Sequence, residues 1–197
     1  VRFGIINTGI LTKISLFVVS NVGKEFSYNS IKKAFNVKAI QSVINYIYYL
    51  ENTYLIFTIP RFSYSFKQQQ VNPKKVYSID NGLSYNTSTT FSKDKGKMLE
   101  NVVFLGLRRK FKDIFYFQEK NECDFIIKER ESIIKAIQVC YKIDEANKER
   151  EINGLISAML KFKLKEGLIL TYDQEDEFNI EGKKIIIKPV WKWLLEQ

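Results

Sequence analysis

Three β-rich runs, Ile114 to Phe117, Cys123 to Ile127 and Ile134 to Val139, follow one another with only short polar gaps, and a helical pattern flanks them on each side. The chain here is committed to a sheet of consecutive strands. The preceding helix is predicted from Gly96 to about Lys110, with Met98, Val102, Val103, Leu105 and Leu107 among its apolar residues. The following one runs from about Asp144 to Phe162, with Ile152, Leu155, Ile156 and Leu160 on one side. Further strands are expected at Gly167 to Tyr172 and Lys184 to Ile187, before a short terminal segment holding Trp191, Trp193 and Leu194. The order is α-β-β-β-α-β, an α/β domain with a mixed central sheet.

Register brings polar residues together. If Lys128 faces Ile134 across a five-residue loop, antiparallel pairing puts Asp124 opposite Gln138 and Glu122 opposite Cys140. All four side chains then share one face, because side chains alternate with period two. Cys123 points the other way, which disfavours a bond between the two cysteines. A helix carrying Glu100, followed by strands carrying Asp124 and the Gln138/Cys140 pair, resembles the site of restriction-endonuclease-like nucleases. That resemblance implies carboxylates at the positions of Glu100, Asp124 and Gln138 holding one or two Mg²⁺, with a lysine at the position of Cys140 assisting the attacking water. Here the pair departs from the pattern. Glutamine offers only a neutral oxygen and cysteine no fixed positive charge, so Glu100, Asp124, Gln138 and Cys140 form a vestigial or rearranged catalytic set. Glu122 is a candidate third metal ligand with Glu100 and Asp124, and Lys142 or Lys120 is placed to supply the charge. The structural alternative has Glu100 capping or salt-bridging, Asp124 bonding a turn, and Gln138 and Cys140 filling a half-buried strand.

Composition narrows the class. The 197 residues, 45% of them hydrophobic, suffice for a proper core. With two cysteines and no histidine there is no disulfide framework, no His-based catalysis and no conventional zinc site. The longest apolar runs fall far short of the roughly 20 residues that span a bilayer. No signal peptide is visible, so a cytoplasmic setting without membrane contact is expected. The first residue is Val, which suggests a fragment of something longer. The net charge of +9 is uneven: 12 basic against 4 acidic residues up to Lys95, then 19 against 18. A basic first half points to a polyanion, most simply DNA.

That first half reads as helices at Leu11 to Val22, Ser27 to Phe35 and Val37 to Glu51, the last with Ile40, Val43, Ile44, Ile47 and Leu50 as a core stripe. Ser27 and Asn36 are suited to cap the second helix. Lys38, Ser42, Asn45 and Tyr49 lie opposite that stripe. A strand at Thr53 to Ile59, a polar loop with Lys67, Pro73, Lys74 and Lys75, and a strand at Val76 to Ile79 complete a winged helix-turn-helix. In such a unit the third helix meets the major groove and the basic wing the backbone. The seven residues Lys38, Ser42, Asn45, Tyr49, Lys67, Lys74 and Lys75 are therefore the nucleic-acid-binding candidates. Protein-protein docking is the alternative use of the unit. The expected division is a winged helix over 1–82, a linker over 83–95 opened by the Asp80-Asn81-Gly82 turn signal, and the endonuclease-like domain over 96–197.

A wider resemblance rests on Phe26-Ser27-Tyr28-Asn29-Ser30, Tyr48-Tyr49-Leu50-Glu51, Thr53-Tyr54-Leu55-Ile56 and Lys75 to Gly82. To these are added Gly96 to Asn101, Glu122 to Phe125, Ile137 to Cys140, Arg150-Glu151, Leu168 to Asp173 and Lys188 to Trp193. Together they resemble the C-terminal region of archaeal and bacterial AAA-type ATPases in which a P-loop domain precedes a winged helix and a nuclease-like domain. The resemblance implies ATP bound only by an upstream domain of the same protein, and a homo-oligomer is a further expectation. This chain has no phosphate-binding loop, since Gly96-Lys97 lacks the earlier glycine: residue 91 is Phe91. Arg150 and Glu151 begin the exposed side of the long helix, from which they can reach the site, with solvated surface as the commoner reading of such a pair. Trp191 and Trp193 read as core and docking residues, with Lys188 and Lys192 leaving base stacking open.

Overall fold

The computed structural model describes residues 8–87 and 94–196. It is a mixed α/β structure in which a helical unit with a small sheet packs on a six-stranded mixed sheet. The first unit comprises α1 (Thr8–Ser20), β1 (Glu25–Phe26), α2 (Tyr28–Ala34), α3 (Ile40–Asn52), β2 (Ile56–Pro60), α4 (Phe66–Val71), β3 (Lys74–Ser78) and α5 (Asn81–Thr87). Helix α2 starts where capping chemistry says it should: Ser27 Oγ accepts from the Ser30 amide while Ser30 Oγ accepts from the Ser27 amide, each at 3.0 Å. Asn36, just past its end, takes the left-handed conformation with φ 49°. Along α3, Val43, Ile47 and Leu50 are buried with Ile14, Val18, Ile31, Ile56 and Val76, whereas Ile40 at the helix start is exposed.

Three expectations for this half are corrected. The polar loop contains α4, capped by Ser65, whose Oγ accepts from the Gln68 amide. Lys74 and Lys75 do not project from a wing: they belong to β3, the middle strand of the order β1-β3-β2, and both are buried. Strand alternation then divides the residues of β3. Val76 enters the core of the first unit, while Lys75 and Tyr77 turn towards the second. The Asp80 to Gly82 turn signal becomes the start of α5, with Asp80 Oδ1 accepting from the Leu83 amide. Residues 88–93 of the expected linker lie outside the described residues.

The second unit comprises α6 (Lys95–Lys110), β4 (Asp113–Gln118), β5 (Glu122–Glu129), β6 (Ser132–Val139), α7 (Lys148–Lys161), β7 (Glu166–Thr171), β8 (Asp176–Ile180), β9 (Lys183–Pro189) and α8 (Val190–Leu195). Its sheet runs β4-β5-β6-β7-β9-β8, with β6, β7 and β9 parallel and the remaining pairs antiparallel. Strand β8 was not expected, because Asp176–Ile180 is too acidic and too short of apolar residues to read as a strand. It forms as an exposed edge on β9. One face of the sheet is covered by α7 and the other by α6 and the first unit.

The two units share a core. Tyr77 from β3 stacks on Phe104 from α6, with ring centroids 4.2 Å apart and planes 15° from parallel, and Phe57 and Phe125 complete the aromatic group. Polar contacts fix the same seam. Asn101 accepts from the Ser78 amide and donates to the Ser78 carbonyl, Tyr116 Oη donates to Pro73 O, and Arg61 donates to Gln118 O.

Candidate functional site

The β5–β6 register is Phe125↔Ile137, as expected next to the site, but an irregularity after Ile127 pairs Lys128 with Ile133 rather than Ile134. Glu122 pairs with Gln118 of β4, not with Cys140. Beyond Phe125 the side chains take over from the ladder: the Asp124 amide donates to Gln138 Oε1 at 3.2 Å, and the Val139 amide donates to Asp124 Oδ2 at 3.0 Å.

Glu100, Glu122 and Asp124 converge, and the group between them is Lys75. Its Nζ lies 3.2 Å from Glu100 Oε1, 2.6 Å from Glu122 Oε1 and 2.9 Å from Asp124 Oδ1, with the lysine side chain only 2% exposed. The ammonium donates to Glu100 and Asp124 and forms an ion pair with Glu122. Glu100 is engaged further on both of its oxygens. Tyr77 Oη donates to Glu100 Oε1 at 2.7 Å, and Lys97 Nζ lies 2.7 Å from Glu100 Oε2. Burial alone would push the Lys75 ammonium down, but Asp124, Glu100, Tyr77 and Glu122 together hold it well above its ordinary value. Burial would likewise raise the Asp124 carboxyl, yet Lys75, Lys97 and the Val139 amide hold it below the usual carboxylate range. Burial and the neighbouring Glu100 keep the Tyr77 phenol protonated far into the alkaline range.

A fourth carboxylate stands behind this group. Glu151, expected on the solvated side of α7, is buried, and its Oε2 accepts from Gln138 Nε2 at 2.7 Å. Arg150, which is exposed, pairs with the other oxygen of Glu151. Gly154, one turn on, makes this approach feasible. A Cβ there would lie 2.1 Å from the Glu122 carbonyl oxygen, so only glycine lets α7 sit this close to β5. Gly23, at φ +71°, does the same beside the Lys97–Glu100 pair, where a Cβ would meet Lys97 Cδ at 2.6 Å.

These groups line a cleft of about 510 Å³ whose rim includes Lys97, Lys120, Asn121, Tyr141 and Arg150. Lys120 is at the rim and Lys142 is exposed, and the ammonium that stands among the carboxylates is that of Lys75. Cys140 is buried, with Sγ 3.0 Å from Lys142 O, and burial and Glu151 push its thiol up to about 11. It is a neutral thiol at pH 7 and no stand-in for a lysine. Cys123 lies on the opposite face in the apolar core, as expected, and both cysteines are free. Among the described residues, no three or more Asp, Glu or Cys side chains are arranged to hold a metal ion.

The nucleic-acid candidates divide. Lys38 is exposed just before α3, Lys67 is exposed on α4, and Ser42, Asn45 and Tyr49 are half-buried along α3, with Gln41 donating to Asn45 Oδ1. Lys74 is enclosed, its Nζ 3.4 Å from Gln69 O, and burial lowers its pKa against the opposing pull of Glu51. Lys74 and Lys75 therefore belong to the interior rather than to a phosphate-binding wing. Of the tryptophans, Trp193 is buried beside Gly106, and Trp191 is exposed.

Residues 2–94 match a family described as a domain of unknown function, DUF8612. The chain is 39% identical over 195 residues to the uncharacterized protein MJ1544 of Methanocaldococcus jannaschii, covering 93% of this chain and 41% of that protein. It is 24% identical over 200 residues to an uncharacterized protein of Haemophilus influenzae, covering 99% of this chain and 48% of that protein. The chain thus spans less than half the length of these curated relatives. No solved structure matches it. No helix among the described residues is long and apolar enough to cross a membrane.

Proposed function

We propose that the chain is a nucleic-acid-binding accessory region made of a winged-helix-type unit and a restriction-endonuclease-like unit whose carboxylate site is neutralised from within. The observation that carries this reading is the convergence of Glu100, Glu122 and Asp124 on Lys75 Nζ. A helix carboxylate and a strand carboxylate meet as they do in endonuclease-like sites, and the α-β-β-β-α-β order beneath them supports the same architecture. The three helices α1, α2 and α3, followed by the small β1-β3-β2 sheet, support the winged-helix reading of the first unit.

Carboxylate oxygens are the right donors for Mg²⁺, but the position between them is taken by an ammonium, so the site as it stands does not fit the ion and no metal-dependent step is drawn through it. The unit grips rather than cuts. DNA contact falls to Lys38, Lys67 and the exposed edge of α3, supported by the basic balance of the first half. A partner ATPase domain of the AAA type, in a cytoplasmic protein, is consistent with relatives more than twice as long as the matched region. A second reading, a Mg²⁺-dependent endonuclease with a moved ligand, is favoured by one observation: Glu151 stands beside Gln138, where a carboxylate is missing. Binding to double-stranded DNA titrated across salt tests the first reading. It predicts affinity that falls steeply with salt, and salt-independent or absent binding contradicts it.

A further inference from the structure

We propose that Lys75 is the resident cation of this cleft, so that seating of β3 on the second unit and entry of a divalent cation exclude each other. The inference rests on the nuclease-like reading of the cleft and concerns its regulation. The three acidic side chains come from α6 and β5 of the second unit, whereas the ammonium arrives from the first unit, on the middle strand of its sheet. The site is therefore complete only when the two units are in contact.

The geometry distinguishes a resident cation from a catalytic lysine. A lysine that assists an attacking water needs a donor turned to solvent, and Lys75 is enclosed: it donates to Glu100 and Asp124, pairs with Glu122, and its side chain is 2% exposed. The buried carboxylates have no oxygen left for a second cation beside it, which leaves only the partly exposed Glu122 with a free one. Glu100 Oε1 takes Lys75 and Tyr77, Glu100 Oε2 takes Lys97, and Asp124 Oδ2 takes the Val139 amide. A divalent ion entering here would also meet the like charges of Lys75 and Lys97. It gains its ligands only when Lys75 leaves. Lys75 cannot leave alone, because Val76 and Tyr77 on the same strand are held by the two cores, and Tyr77 stacks on Phe104. Withdrawal of the lysine means unseating β3, which makes the seam between the units the switch for the site.

The test is Mn²⁺ uptake by the full chain, read from the free Mn²⁺ signal in electron paramagnetic resonance, for wild type, Lys75→Gln, Lys75→Met and Lys75→Gln with Asp124→Asn. Circular dichroism verifies folding. Lys75→Gln keeps a donor while removing the charge, Lys75→Met comes closer to the lysine's length, and either is expected to bind Mn²⁺ about tenfold or more tighter than wild type. The double variant is expected to lose that gain. A folded Lys75 variant no tighter than wild type overturns the proposal. If neither single variant folds, the wild-type chain decides: Mn²⁺ is raised until uptake saturates while hydrogen exchange follows the β3 amides. Loss of β3 protection in step with uptake is expected, and uptake with β3 still protected overturns the proposal. Absence of DNA binding or of cleavage bears on the parent reading alone, since neither enters these readouts.

Discussion

Lys75 Nζ lies 2.9 Å from Asp124 Oδ1, although 49 residues separate the two in the chain and each belongs to a different unit. A buried ion pair of this kind contributes little over an apolar substitute of the same shape, but removing one partner strands the other. The pair is therefore a specific joint between the units, and its loss has a calculable cost.

Lys75→Met leaves Glu100, Glu122 and Asp124 facing one another with only Lys97 for compensation. The expected destabilisation is about 3–5 kcal/mol, the range for breaking a buried pair. Urea unfolding followed by circular dichroism measures it. Lys120→Met, at the exposed rim, should stay within about 0.5 kcal/mol of wild type.

Tyr77→Phe keeps the stack on Phe104 and removes the hydroxyl that donates to Glu100 Oε1. A hydrogen bond to a charged group is worth about 1.5–3 kcal/mol, and a loss of that order is expected in the same unfolding measurement. Phe104→Ala, which removes the stack itself, should cost about 3–5 kcal/mol.

Stability should depend on pH in two windows. The Asp124 carboxyl is held below its ordinary value of 3.8 in the folded chain, so its contribution is present above that pH and is lost as pH falls through the lower folded value. The Lys75 ammonium is held well above 10.5, so its contribution is complete below that pH and lost only as pH rises through the higher folded value. A plateau between these limits is expected in thermal melts. In Lys75→Met the alkaline contribution should vanish, and the acid limit should move to higher pH because Asp124 has lost the cation that holds it down.

Gly154→Ala puts a Cβ 2.1 Å from the Glu122 carbonyl oxygen, a contact that backbone on both sides resists. Helix α7 must move away from β5, carrying Glu151 off Gln138. Overpacking of this kind costs about 1–3 kcal/mol or more. Thermal melting should show the loss, and the Gln138 side-chain amide signals in NMR should shift.

Lys38→Glu and Lys67→Glu change exposed residues and should weaken DNA binding while leaving melting temperature unchanged. Each lost phosphate contact should reduce the salt slope by about 1. Lys74→Glu, by contrast, buries a carboxylate near Glu51 and should act on stability first.

Much of the fold is legible in local pattern. The capped start of α2, the α6 helix and the strands β4, β5, β6, β7 and β9 follow from apolar periodicity and capping residues, which act within a few positions. Strand β8 escapes because an edge strand needs no apolar alternation, and α4 escapes because Ser65 caps a run of glutamines that reads as loop. At the site, Glu100, Glu122, Asp124 and Gln138 are found by spacing because they lie on adjacent elements of one unit. Lys75 is not, and Glu151, although within reach of the site by its place on the helix, reads first as surface. A lysine in a basic stretch after Pro73 reads as solvated surface, and a glutamate next to an arginine on a helix does too. What buries each is the seating of a distant element, β3 on the second unit and α7 on β5 through Gly154. Tertiary contact of that kind leaves no local trace.

The most direct measurement is incubation of plasmid and single-stranded DNA with the full chain in Mg²⁺ or Mn²⁺, beside Asp124→Ala. With Lys75 as the site's cation, wild type and variant should both leave the DNA intact while binding it in a salt-dependent way. Metal-dependent cleavage by wild type that disappears in Asp124→Ala would contradict the account and select the rearranged nuclease.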